Sequence, residues 1–372
     1  MLTLQNIHRK RIMRNLIYLL ATGWCLWGMA SCGNRTQPTG QADFGTEIPL
    51  KHTVRNSDIF ASYPEGFFQL DSVFVVLSPR IGDNFGRLIS LKTFQEIGKF
   101  GAKGKGPTEV IWTFPFAYTG SDSTFMAYDL PSRSVISYTL VNRGDSLTMR
   151  AHDKRRVDQG DVPLQDNTKL CRIGDDHYMG QCFHAQDHFF SLLDKDFNQI
   201  GYFGNSPIPE SITNAGDRLQ GCMNAGYGIS IFAPYELPYI GCYAMRDGKP
   251  VKLWEDDFSE KIYNINNNRL VHDQERGKGT TLYTAISPRY IYILWNNELI
   301  YTYAERSQKG SQPGGTIVFI YDHSGNRIAH LVLDTELYYL AVSEDDRTLY
   351  GLTQAEYALV TFDLPETYPA IQ

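Results

Sequence analysis

Short runs of alternating apolar and polar residues, each bounded by turn residues, recur along most of the chain. One unit is a turn followed by a strand-like run: residues 70–77 (Leu-Asp-Ser-Val-Phe-Val-Val-Leu), then 120–128, 173–180, 225–232, 287–294 and 343–350. A second unit follows each copy, a strand, a polar turn and another strand. It is seen at 88–97, 190–200 and 317–331, with shorter versions at 135–140, 239–254 and 359–364. The clearest copy, 317–331, turns at Ser324, Gly325 and Asn326, residues that accept the positive φ of a tight hairpin. A period of two marks strands with one face buried.

Each pair of units predicts one four-stranded antiparallel blade, repeating about every 50–60 residues. Six such pairs predict an all-β fold, a six-bladed β-propeller of four-stranded antiparallel blades over residues 46–372. The sixth pair ends near residue 364 without an outer strand. Residues 47–54 (Glu-Ile-Pro-Leu-Lys-His-Thr-Val) are expected to supply it and close the ring, which removes an exposed sheet edge. Strand spacing alone also accommodates a pair of β-sandwiches.

Ahead of this pattern, Arg9, Lys10, Arg11 and Arg14 precede an apolar stretch at 16–27. The stretch is shorter than the roughly 20 residues of a membrane span but suits the core of a secretory signal. It ends in Met29-Ala30-Ser31-Cys32-Gly33, which resembles the lipobox of bacterial lipoproteins, with Met where Leu is usual. The expectation is a signal peptide at 1–31, diacylglycerol on Cys32, and a polar tether at 32–45. The chain would then be anchored to a bacterial membrane, on the periplasmic side or at the cell surface. A plain signal peptide or an uncleaved anchor is the competing reading, and Met13 is an alternative start.

Composition supports this picture. Aromatics make up 13% and glycines number 32, a mixture that favours short strands and tight turns. The four basic leader residues, taken from the chain's 35, leave 31 against 41 acidic residues. A general nucleic-acid binder draws affinity from neutralising phosphates and is normally basic, so that class is excluded as a partner. Cys171, Cys182, Cys222 and Cys242 could pair in an exported chain, but Cys171 and Cys182 sit offset across the turn at 174–176. Buried free thiols are the expected state.

Two stretches carry a family resemblance. Residues 97–109 (Ile-Gly-Lys-Phe-Gly-Ala-Lys-Gly-Lys-Gly-Pro-Thr-Glu), followed by 125–130, look like the junction between NHL-type blades. Residues 342–349 (Val-Ser-Glu-Asp-Asp-Arg-Thr-Leu) are similar to the strand and turn of TolB-type blades. Together with the lipobox, the chain resembles the TolB-like six-bladed propeller lipoproteins of Bacteroidales. That resemblance implies a fold and a location without an activity.

The glycine-rich stretch 101–108 lacks the Lys of a phosphate loop, Pro107 standing in its place, and reads as a blade connection. Cys182, His184 and His188, with His177 nearby, have no recognised metal spacing, and no metal is expected. Residues 343–350 have Arg347 and Leu349 where a sialidase Asp-box needs Gly and Thr. No G-x-S-x-G elbow is present. No catalytic residue is assigned, and the cofactor is unknown.

Loop length gives the strongest functional pointer. In a four-stranded blade the first–second and third–fourth turns share one face, and here they are short. The second–third loops and blade-to-blade connections share the other face, and 78–86, 143–167, 205–219, 256–279 and 297–314 are long. Long loops on a rigid scaffold usually carry function, so this face around the channel mouth is the expected working face. The candidate binding residues are Lys103, Lys105, Arg150, Lys154, Arg155, Arg156, Tyr301 and Tyr303. The reading is a membrane-anchored, non-catalytic module for a protein, peptide or glycan. The alternative is a lactonase- or glycosidase-like propeller hydrolase with acids converging at the channel mouth.

Overall fold

The computed structural model describes residues 43–369 apart from 58, 60–63, 79–81, 116–122, 144–145, 153, 159–163, 165–168, 183–188, 209–218, 262, 267–268, 274, 310–313 and 354–356. The expected signal peptide, Cys32 and most of the tether lie outside the described residues, as do His184 and His188.

Strands follow one another as antiparallel meanders. The first sheet is β3 (Gly66–Leu70), β4 (Val73–Leu77), β5 (Asn84–Ser90) and β6 (Glu96–Ala102). The second is β7 (Thr113–Pro115), β8 (Thr124–Asp129), β9 (Ser134–Arg143) and β10 (Ser146–Ala151), with the two-residue β11 (Arg155–Arg156) also on β9. The third runs β12 (Leu170–Arg172), β13 (Tyr178–Gln181), β14 (Phe190–Leu193) and β15 (Gln199–Phe203). The fourth runs β16 (Gly221–Gly226), β17 (Ile229–Pro234), β18 (Tyr239–Arg246) and β19 (Lys249–Asp257), followed by a hairpin of β20 (Tyr263–Asn266) and β21 (Arg269–His272). Tight turns hold these meanders together: Tyr227-Gly228 and Asp247-Gly248 each place two successive residues at positive φ, the geometry that matches strand twist.

The last sheet is longer, in the order β2-β27-β26-β25-β24-β23-β22. Its members are β22 (Lys278–Ile286), β23 (Tyr290–Leu299), β24 (Gly315–Asp322), β25 (Arg327–Val342), β26 (Thr348–Thr353), β27 (Leu359–Asp363) and, from the N-terminus, β2 (His52–Asn56). The 16-residue β25 is the joint. Its first part, Arg327 to Val332, pairs with β24, while its second part, Leu337 to Val342, pairs with β26. The N-terminal segment splits across this joint: β1 (Glu47–Leu50) lies parallel to β25, and β2 lies antiparallel to β27. Thus the expected outer strand arrives from the N-terminus, but only β2 fills that role.

Packing passes from each sheet to the next and returns to its start. Phe100 of the first sheet meets Phe125 and Tyr138 of the second at ring distances of 5.8 and 5.3 Å. Further buried clusters join the second sheet to the third, the third to the fourth, and the fourth to β23 and β24. The circuit closes where Phe67 and Phe74 of the first sheet pack with Tyr339, Leu352 and Leu359. Strands β4 and β17 are buried along their whole length because both sheet faces are covered, which explains the continuous apolar run of β4 and leaves Ser230 the one polar residue of β17. The molecule is an all-β propeller of four-stranded antiparallel blades.

Several expectations need correction. The span 143–167 is not one connection, because β10 and β11 lie within it: Met149 is buried and Leu147 and Ala151 pack against the core beside it. The span 256–279 contains the β20–β21 hairpin. In 297–314, β23 continues to Leu299 and is followed by a helix, α1 (Ile300–Gln308). Phe44, placed in the tether, is buried against Phe319 and Tyr321. The four described cysteines are buried and free, as expected.

Candidate binding cavity

A cavity of about 850 Å³ opens where the innermost strands begin. Its wall is assembled from the residue or two ahead of, or at the start of, each such strand. These are Glu65 before β3, Ile111 and Trp112 before β7, Lys169 before β12, Gln220 before β16, Gly279 to Tyr283 in β22, and Tyr338 and Tyr339 in the second part of β25. Second–third connections complete it, with Leu130 and Pro131 between β8 and β9, Tyr235 and Glu236 between β17 and β18, and Ile300 and Tyr303 of α1. The cavity therefore lies on the face that carries the blade-to-blade and second–third connections.

Local structure fixes this wall. The backbone N–H groups of Ile111 and Trp112 both donate to Asp129 Oδ1 at 3.0 Å. Tyr339 donates to the Pro64 carbonyl at 2.6 Å, and Tyr283 to the Phe67 carbonyl at 3.0 Å, tying the last strands to the first sheet. Gly279 sits at φ +78°, and a Cβ there would collide with the indole of Trp295, so no other residue fits without displacement. Helix α1 is pinned by Arg306, which donates to Glu298 and to both carboxylate oxygens of Glu336 through its two terminal guanidinium nitrogens at 3.0 and 2.9 Å.

The wall is aromatic and polar at once. Lys169 lies over the rings of Tyr235 and Tyr283, its ammonium 5.6 and 5.9 Å from their centroids. Burial opposes its charge; Tyr235 and Cys222 favour it, and the balance holds the ammonium above the ordinary lysine value. Burial also raises the phenols of Tyr235, Tyr303, Tyr338 and Tyr339, and pushes Tyr283 up to about 12, so all five are neutral near pH 7. The hydroxyls of Thr280 and Thr281 are buried with no hydrogen-bond partner among the described residues. Polar groups left in that condition are costly unless water or a ligand satisfies them. Among the described residues no cluster of three or more His, Cys, Asp or Glu side chains could hold a metal ion.

Of the residues singled out from sequence, Tyr303 alone lines this cavity. Tyr301, two residues earlier on α1, is exposed. Lys103 donates to the Gly82 carbonyl at 2.6 Å in the connection after β6, and Lys105 is exposed in the turn that follows. Arg150 is exposed on the outermost strand β10. Lys154 pairs with the fully buried Asp129 at 2.9 Å, and Arg155 lies over the Phe197 ring at 4.7 Å. Arg156 is exposed on β11 opposite Ser134. The structure thus spreads the basic group along the second sheet and its neighbour, without bringing it to the cavity. Glu65, Trp112, Lys169, Tyr235, Glu236, Tyr283 and Tyr338 went unnoticed in the sequence. The signal that locates most of them is position, at the entry to an innermost strand or in a second–third turn.

The chain matches no protein-family model and no curated protein. Solved structures are similar in fold. One is a protein described as exported, from Bacteroides fragilis, with TM-score 0.50 and 14% identity over 85% of this chain and 99% of that one. Another is a member of the DUF4221 family from Bacteroides vulgatus, with TM-score 0.53 and 10% identity over 86% of this chain and 96% of that one. At such identities the likeness concerns the fold alone.

Proposed function

We propose that this chain is a six-bladed propeller lipoprotein that binds a ligand, without chemical turnover, in the cavity at its axis. The observation that carries the reading is the cavity itself. At about 850 Å³ it falls within the roughly 300–1,000 Å³ typical of small-molecule sites, and its wall combines aromatic faces with a few polar groups. Cutting the long sheet at β25 would give two four-stranded units, which beside the four separate meanders supports a reading of six blades. Six interfaces of buried residues agree with that count. The signal-like leader and Cys32 support export and lipid anchoring, and the B. fragilis neighbour is likewise described as exported.

The test uses the full chain with Cys32→Ala to obtain soluble protein, titrated calorimetrically with defined oligosaccharides and peptides. At least one is expected to bind, and Trp112→Ala or Tyr303→Ala should weaken it ten-fold or more. Binding that ignores both substitutions would overturn the assignment of the site. One observation favours a second reading, a glycosidase-like hydrolase: Glu65 and Glu236 both line the cavity, and such enzymes use two carboxylates. Product formation that is abolished by Glu65→Gln and by Glu236→Gln would establish that reading instead.

A further inference from the structure

Resting on the reading of the axial cavity as a binding site, we infer that its ligand is a short, uncharged oligosaccharide. It would stack on the aromatic wall and hydrogen-bond to the hydroxyls of Thr280 and Thr281. Three features of the wall lead there.

The first is unsatisfied hydrogen bonding. Thr280 and Thr281 both line the cavity from β22, and neither hydroxyl has a partner among the described residues. The Thr281 backbone is held, its N–H donating to the Tyr235 carbonyl at 3.2 Å, so the side chain keeps the remaining freedom. Both oxygens are covered by protein as they stand. A turn of about 120° between staggered positions can bring the hydroxyl to the methyl's place, where a ligand can reach it. A hydroxyl both donates and accepts, so this pair suits a polyhydroxylated ligand better than an apolar one.

The second is charge. Among its described residues the wall has Lys169 as its cation and Glu65 and Glu236 as its carboxylates. All three already interact within the protein, Lys169 by donating to Tyr235 and by lying over the Tyr235 and Tyr283 rings. An anion entering the cavity would face two carboxylates, and a cation would stand beside Lys169. Either would also shed its hydration against groups whose charge is already engaged, which is costly. An uncharged ligand meets neither penalty, and the hydroxyls that lack a partner are themselves neutral.

The third is shape and surface. Tyr283 and Tyr339 spend their hydroxyls on the Phe67 and Pro64 carbonyls, so their rings are fixed before a ligand arrives. Tyr235 and Tyr303 extend this aromatic wall. A sugar ring has the matching surface, a C–H face for stacking and a rim of hydroxyls for hydrogen bonds. The volume of about 850 Å³ accommodates a few linked rings.

The experiment is calorimetry on the full-length Cys32→Ala chain with cellotriose, maltotriose and N-acetylated chitotriose. Each is paired with a charged counterpart that keeps its rings: the two glucose trimers with their primary alcohols oxidised to carboxylates, and the deacetylated chitotriose. At least one neutral sugar is expected to bind, with an affinity that added salt leaves unchanged. Its charged counterpart should bind at least ten-fold more weakly. Thr280→Val and Thr281→Val keep the shape and remove the hydroxyl, and each should weaken that sugar about ten-fold. The melting temperature of the ligand-free variants should hold or rise, because an unpaired buried hydroxyl has gone; this separates a lost ligand contact from a damaged fold. Thr281→Ser, which keeps the hydroxyl, should keep most of the affinity. Failure of all three neutral sugars to bind, or a charged counterpart that binds as tightly as its parent, overturns the uncharged assignment. Unchanged affinity in both valine variants overturns the role of the threonines. A peptide that binds in place of the sugars, sensitive to Trp112→Ala, would overturn the carbohydrate class and leave the cavity as the site. Sugar binding unaffected by Trp112→Ala and Tyr303→Ala would overturn the cavity itself as the site.

Discussion

Lys154 belongs to a cluster that charge counting could not have found. Its ammonium and two backbone N–H groups converge on Asp129, which is inaccessible to solvent and also accepts from Ser132. Removing one partner of a buried ion pair typically costs about 3–5 kcal/mol, because the other charge is left in a poor medium. Lys154→Ser should therefore lower the melting temperature clearly, whereas Arg156→Ser, on an exposed two-residue strand, should leave it nearly unchanged. Thermal melts of the two variants decide this; equal, small shifts would show that Asp129 is satisfied without Lys154. The run Lys154-Arg155-Arg156 was legible as charge, but its roles were not, since Asp129 lies 25 residues away and Phe197 about 40. The cavity was legible only as a face. Tyr303 was found because its loop was long, while Lys169 and Trp112 stand in sequence as ordinary residues whose convergence is a product of the ring.

At the scale of elements, the joint at β25 and its N-terminal partners hold most of what the pattern of residues left out. The strand β2 was legible because an unpartnered last blade demands an outer strand. The parallel pairing of β1 with β25 was not, because it involves no turn and so leaves no local mark. Helix α1 was equally hidden: its Ile, Thr and Tyr residues are poor helix formers, and Leu299 at its N-cap offers no side-chain bond. Leu50 is buried in the core, Ile48 packs beside it, and His52 contacts Asp334 through its backbone N–H at 3.0 Å. Truncating one such leucine costs about 2–5 kcal/mol, and domains of 150–250 residues lose about 2–4 °C per kcal/mol. Deleting residues 46–56 should thus lower the melting temperature by at least about 5 °C; an unchanged value would show that β1 and β2 contribute nothing to the fold.

The same joint should respond to acid. Burial holds the His330 ring below its ordinary value, with Glu47, its partner across β1 and β25, pulling weakly the other way. The unfolded chain takes up a proton there that the folded chain refuses. The contribution of His330 is therefore intact above about pH 6.5 and is lost as the pH falls through that value towards the lower folded one. His330→Phe, which keeps a ring against Phe319, should narrow the difference in melting temperature between pH 7.5 and pH 5. An undiminished difference would place the acid sensitivity elsewhere.

At the scale of the whole molecule, the cavity wall includes the seam that closes the ring. No sheet owns the cavity, because its wall is gathered from the entry to every innermost strand around the axis. The seam where the chain closes is part of that wall: Glu65 stands on one side, Tyr338 and Tyr339 stand on the other, and the Tyr339–Pro64 hydrogen bond crosses it. A ligand that touches both sides is bound more tightly by the closed ring than by an opened one, and by linkage it must favour closure to the same degree. None of residues 46–56 lines the cavity, yet their deletion should weaken ligand binding because it loosens the seam. In the intact chain, ligand at 100 times its Kd should add about 2.7 kcal/mol of stability. Calorimetry and melting of the two chains with a defined oligosaccharide or peptide that binds the intact chain measure both effects. Equal affinity in the deleted and intact chains would mean that the cavity keeps its shape without the closing strands, and that site and closure are independent.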